Sequence, residues 1–222
     1  MKKIIALLLY GFAASGQINA VDFANFKKYE SPNKALMNES TTNNRIVLMG
    51  DSITEGWINS DADFFAQNQL IDRGISGQTT AQMLLRFRND AIDLKPKTIV
   101  ILAGINDIAE NTGSISVEQI FSNIKSMCDL ARANQIKVVL CTVLPAAQFP
   151  WRPQINPIEK VLALNEMIRN YAQQEKISLV DYFTTMKDTQ NGLPKIHSED
   201  GVHPNKEGYE VMKSLLLEKL KN

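Results

Sequence analysis

"RIVLMGDSITEGW", residues 45–57, decides how the rest of the chain is read. Its apolar residues Ile46-Val47-Leu48-Met49 have the length and β-branched content of a strand, without polar alternation. Unbroken hydrophobicity over so short a run points to a strand covered on both faces, the habit of parallel sheets. The run stops at Gly50-Asp51-Ser52: a turn-capable residue, a charge and a hydroxyl in succession. A buried strand that ends this way delivers polar groups to one rim of its sheet.

Four more runs of the same kind follow at 70–76 (LIDRGIS), 98–104 (TIVILAG), 137–144 (KVVLCTVL) and 178–183 (SLVDYF). Helical periodicity fills 80–94, 116–133, 157–174 and 205–220, and Ser116 with Gln119 has the spacing of a capping box. Strand and helix therefore alternate, which predicts a three-layer α/β/α domain over 45–222 around a five-stranded, mostly parallel sheet. Ligands of such sheets bind beyond the carboxyl ends of the strands. Ser76-Gly77-Gln78, Gly104-Ile105-Asn106-Asp107 and Asp200-Gly201-Val202-His203-Pro204 are then expected to meet Gly50-Asp51-Ser52 at one edge.

At 222 residues, 44% hydrophobic and 22% charged, the chain suits one globular domain. Lys2-Lys3, the apolar run from Ile4 to Ala14 and the small residues after it read as a secretory signal peptide over 1–20, with cleavage after Gly16 or Ala20. An exported protein, periplasmic or extracellular, is expected, with no stable membrane insertion once the signal is removed. The remaining chain carries 22 basic against 24 acidic side chains and no basic-aromatic block, which argues against nucleic acid as a partner. Residues 21–44 are polar and read as an N-terminal arm with at most a short helix near Phe23–Tyr29. Cys128 and Cys141 fall in apolar patterns and are expected to be buried free thiols.

A serine becomes a nucleophile only beside a base, and the base needs an orienting carboxylate. Of the two histidines, His203 follows Asp200 by three residues, close enough for the carboxylate to hold Nδ1 while Nε2 faces Ser52. His197 has only Glu199 nearby. Acyl transfer also needs donors for the developing oxyanion, and the N–H of Ser52, the N–H of Gly77 and the Asn106 amide are the candidates. Asp51, Asp107, Asp200 and His203 would also suit a metal site for phosphate-ester hydrolysis, and that alternative stays open on residue types alone.

Gly50-Asp51-Ser52-Ile53, Gly77, Gly104-Ile105-Asn106-Asp107 and Asp200-Gly201-Val202-His203 together resemble the four blocks of the SGNH, or GDSL-type, hydrolases. The stretch RGISGQTT is similar to the second block of the platelet-activating-factor acetylhydrolase-like branch. The resemblance implies a flavodoxin-like fold with strand order 2-1-3-4-5, and ester hydrolysis through an acyl-enzyme on Ser52. Asp200 and His203 would complete the triad, Ser52, Gly77 and Asn106 the oxyanion hole, with no metal or organic cofactor.

The Pro-rich connection PAAQFPWRPQINP, residues 145–157, places Trp151 and Arg152 where long loops often select substrate. A short, above all acetyl, ester on a carbohydrate or similar polar carrier is the expected substrate, with Trp151 and Arg152 lining the acceptor side. A lysophospholipase or thioesterase using the same residues is the nearest alternative, and a non-catalytic glycan binder the next. The oligomeric state is not legible.

Overall fold

The computed structural model describes residues 22–39 and 44–221. The expected signal peptide, residues 1–20, lies outside the described residues, as do 21 and 40–43 of the expected arm.

The described chain runs α1 (Lys27–Asn38), β1 (Ile46–Gly50), α2 (Ser52–Ser60), α3 (Ala62–Gln67), β2 (Leu70–Gly74), α4 (Thr80–Asp90), a 3-10 turn at Ile92–Leu94 and β3 (Thr98–Ile101). There follow α5 (Ile105–Ile108), α6 (Val117–Ala133), β4 (Lys137–Cys141), α7 (Ile158–Gln174), β5 (Ser178–Val180), α8 (Tyr182–Met186) and α9 (Lys206–Leu220). The five strands form one sheet in the order β2-β1-β3-β4-β5, every pair parallel, as the resemblance implied. Helices α4, α6 and α7 pack side by side on one face, and α2, α3 and α9 cover the other. Val47, Ile99, Val139 and Leu140 between them are fully buried, which is why the strands read as unbroken apolar runs.

Four strands end earlier than their apolar runs: β2 at Gly74, β3 at Ile101, β4 at Cys141 and β5 at Val180. Leu102, Ala103, Val143 and Leu144 remain buried beyond the pairing. Apolar content reports burial, and the floor beneath the rim is buried without being sheet. Helix starts follow their caps more closely. Ser116 forms the expected capping box with Gln119, and Thr79 forms an equivalent one with Gln82.

Helix α1 lies later and is longer than the short helix expected near Phe23–Tyr29, and it contains Pro32. No apolar stripe announces it, because polar bonds hold it down. Buried Asn33 accepts from Arg73 Nε and Nη2 (3.0 and 2.7 Å) and donates to Asp90 (2.6 Å). Tyr29 OH donates to the Gly74 carbonyl (2.5 Å).

Cys128 and Cys141 are free and buried, and burial pushes both thiols up to about 12. No helix among the described residues is long and apolar enough to cross a membrane.

Candidate active site

The nucleophile candidate stands where β1 meets α2. Asp51 caps this helix by accepting the Ile53 N–H at 3.0 Å, so Ser52 becomes the first helical residue. Its own N–H donates to no group among the described residues, and it lies at the positive end of the helix. Gly50 is required by closeness rather than by an unusual turn: a Cβ there would lie 2.0 Å from Thr54 Oγ1 and 3.1 Å from the Leu102 carbonyl. The strand thus leads directly under the helix that presents Ser52.

The partner of Ser52 arrives from 151 residues away. His203, in the loop before α9, places Nε2 at 2.9 Å from Ser52 Oγ. Its Nδ1 lies 2.7 Å from Asp200 Oδ2. Desolvation works to raise the Asp200 carboxyl, but the His203 ring and the His203 and Val202 N–H groups outweigh it and hold the carboxyl down at about 2. An ionised carboxylate has no hydrogen to give, so Nδ1 carries the proton and Nε2 is left to accept from the Ser52 hydroxyl. A Ser198 hydroxyl bond to Asp200 Oδ1 (3.1 Å) and a Gly201 N–H bond to Ser198 Oγ (2.9 Å) fix the loop.

His197 has no such arrangement. Its Nδ1 is buried without a hydrogen-bond partner among the described residues. Its backbone instead supports the neighbouring loop, accepting the Asn205 N–H at 2.9 Å.

The donor candidates flank this line. Gly50 pairs with Gly74 at the end of β2, and Met49 with Ile101 at the end of β3, so the loops bearing Gly77 and Asn106 leave the sheet on either side of β1. Gly77 has φ 76°, the left-handed region that favours glycine, and its N–H is unengaged among the described residues. Asn106 is buried; its Nδ2 donates to the Gln78 carbonyl at 3.1 Å, which leaves the second amide hydrogen.

Asn111 and Glu55 escaped the sequence reading, and Asp107, considered there as a metal ligand, has a different role. Asn111 Nδ2 bridges Asn106 Oδ1 (2.9 Å) and the Gly77 carbonyl (3.1 Å), tying the two donor loops together. Asp107 accepts the Thr80 N–H (2.8 Å) and hydroxyl (2.6 Å) at the start of α4. Glu55, one turn after Ser52, accepts the Ser76 N–H at 2.7 Å. A polar residue shortly after α5 or in the first turn of α2 could have drawn attention, but nothing in its type says what it holds.

Burial pushes the Asp51 and Asp107 carboxyls up to about 6, against the hydrogen bonds they accept. Both carboxylates are committed to capping, and among the described residues no group of three or more His, Cys, Asp or Glu is arranged to hold a metal ion.

Trp151 is 42% exposed, rests on Phe149 (ring centroids 5.2 Å) and stands 5.9 Å from the His203 ring. Arg152 beside it is half-buried, and its guanidinium has no partner among the described residues. Trp57 is packing: 2% exposed, stacked on Phe64 at 5.4 Å and Tyr209 at 5.7 Å.

Residues 48–211 match the GDSL-like lipase/acylhydrolase family. A solved GDSL-like lipase from Bacteroides thetaiotaomicron VPI-5482 is 47% identical with a TM-score of 0.87, covering 90% of this chain and 98% of that one. Esterase TesA of Pseudomonas aeruginosa is 28% identical over 76% of this chain and 84% of its own length. Human platelet-activating factor acetylhydrolase IB subunit alpha2 is 26% identical over 71% of this chain, and the match spans 63% of that subunit. The chain therefore belongs to the GDSL-like lipase/acylhydrolase family, a family of carboxylic ester hydrolases.

Proposed function

We propose that the protein is a serine esterase that removes short acyl groups, acetyl foremost, from a carbohydrate or similar polar carrier. The observation that carries the reading is the continuous line Ser52 Oγ, His203 Nε2, His203 Nδ1, Asp200 Oδ2, with contacts of 2.9 and 2.7 Å. In this reading Ser52 attacks the ester carbonyl, and His203 takes its proton. Asp200 stabilises the imidazolium, while the Ser52 and Gly77 N–H groups and the Asn106 amide hold the tetrahedral anion. His203 then protonates the departing alcohol, and a water activated by the same ring releases the acid.

The leaving oxygen must lie near His203 Nε2, so the alcohol half of the ester leaves past Trp151. An exposed indole suits stacking on a sugar ring, and the unpaired Arg152 guanidinium suits a hydroxyl-rich or anionic acceptor. An acetyl preference is further supported by the relative whose name states acetylhydrolase activity. Trp151→Ala should raise KM for acetylated sugars about tenfold and leave p-nitrophenyl acetate nearly untouched; equal effects on both would remove the sugar site. A p-nitrophenyl ester series from two to twelve carbons should fall steeply with length (about tenfold per few carbons), whereas a rise would favour the lysophospholipase or thioesterase reading. Export, proposed from Lys2-Lys3 and the apolar run after them, is checked by N-terminal sequencing of the mature protein.

A further inference from the structure

One charged residue lies at the junction of the nucleophile and donor loops, and the chemistry above does not use it. Arg86, in α4, is fully buried. Its Nη2 donates to the carbonyls of Gly50 (3.1 Å) and Arg73 (2.9 Å), its Nε to Gln78 Oε1 (2.6 Å), and its Nη1 meets Asp90 Oδ2 at 3.0 Å. Gly50 is two residues before Ser52, Arg73 closes on the loop that bears Gly77, and Gln78 follows Gly77 directly. Gln78 extends the link. Its Nε2 donates to the Ala24 carbonyl at 2.8 Å, and its backbone carbonyl accepts the Asn106 amide at 3.1 Å.

Burying a guanidinium is costly unless each of its three nitrogens finds a partner, and a solvated helix position would carry no such cost. Four carbonyl, amide and carboxylate oxygens from four segments meet the requirement here. Two of these segments carry the hydroxyl and the glycine N–H that must act on one carbonyl.

We propose that Arg86 and Gln78 are positioning residues that set the spacing between Ser52 and the donors at Gly77 and Asn106. This rests on the oxyanion assignment of Gly77 and Asn106. Donors contribute to rate only when they are aimed at the place where charge develops. Arg86 fixes the ends of β1 and β2 against each other, and Gln78 carries that constraint to Gly77 and Asn106 while anchoring the segment before α1.

The test compares Gln78→Ala, Arg86→Lys, Asn33→Ala and Asn106→Ala for kcat and KM on p-nitrophenyl acetate, affinity for an alkyl boronic acid, and Tm. Gln78→Ala keeps the bonds from Arg86 to the Gly50 and Arg73 carbonyls. It should fold with a lowered Tm, because Arg86 Nε loses its partner, lose about 10- to 100-fold in kcat with KM little changed, and lose boronate affinity in proportion, because the tetrahedral adduct needs the donors. Arg86→Lys should behave alike with a lower Tm. Asn33→Ala breaks the buried polar cluster at its far end, at Arg73 and Asp90, and should lower Tm while kcat holds. If Asn106→Ala loses activity but folded Gln78→Ala keeps wild-type kcat and boronate affinity, positioning is overturned and the oxyanion assignment stands. If Asn106→Ala itself retains full kcat, the oxyanion assignment fails and positioning fails with it.

Discussion

The two halves of the active-site rim are built differently. On the proton-moving side, the His203 and Asp200 side chains are 40% and 38% exposed, and the line to Ser52 rests on a short loop. On the charge-stabilising side, Asn106, Asp107, Gln78, Thr80 and Arg86 are all buried, and direct hydrogen bonds join Asn106 through Gln78 to Arg86 and Asp107 to Thr80. A base that must hand a proton to a leaving group and then to water needs room and solvent. Donors that stabilise a transient anion work by being already in place, and burial in a satisfied polar network is how a protein fixes them. The exposed half should therefore be sensitive to chemistry and the buried half to geometry.

Breaking the exposed half should give the largest effects. His203→Ala should cost about four orders of magnitude or more in kcat, and Asp200→Asn about 1,000- to 10,000-fold together with some loss of Tm, because the ionised carboxylate also holds its loop. Loss of the same size in KM rather than kcat would assign these residues to binding instead. In the buried half, Asn106→Ala should cost about 100- to 1,000-fold in kcat. A penalty below tenfold would remove Asn106 from the oxyanion donors.

The smallest effect sharpens the contrast through pH. Burial raises the Asp107 carboxyl from 3.8 to about 6, so the folded chain holds this proton more tightly than the unfolded one. Its contribution favours folding below about 4, declines as pH rises to about 6, and is flat above. Asp107→Asn removes the titration, so wild-type Tm relative to this variant should fall over that window. Asp200 has the opposite sign. Its carboxyl is held at about 2, and the stability it brings is present above 3.8 and lost as pH falls toward 2. A wild-type Tm that, relative to Asp107→Asn, rises or stays flat between pH 4 and 6 would contradict the buried, desolvated carboxylate.

The same contrast explains what could be read from sequence. The sheet was legible because β-branched runs bounded by turn residues report strands buried on both faces, although Leu102 and Ala103 carried the reading past the true strand end. Ser52, Asp200 and His203 were legible because residue chemistry and a spacing of three make a local pattern that needs only one long-range contact. Arg86 and Asn33 were not. In LLRFRND and SPNK they look like ordinary surface residues of a helix or polar arm, and only the tertiary arrangement reveals a guanidinium enclosed by carbonyls. Trp151 was singled out by its place in the Pro-rich loop, but residue type alone did not say that Phe149, two residues earlier, would be the aromatic that packs inside.

The most direct measurement is hydrolysis of p-nitrophenyl acetate by Ser52→Ala, paired with mass spectrometry of the wild-type protein after a fluorophosphonate. The account predicts a single adduct on Ser52 and a variant at least about 10,000-fold slower than wild type. Wild-type turnover by the variant, or an adduct on any other residue, would contradict it.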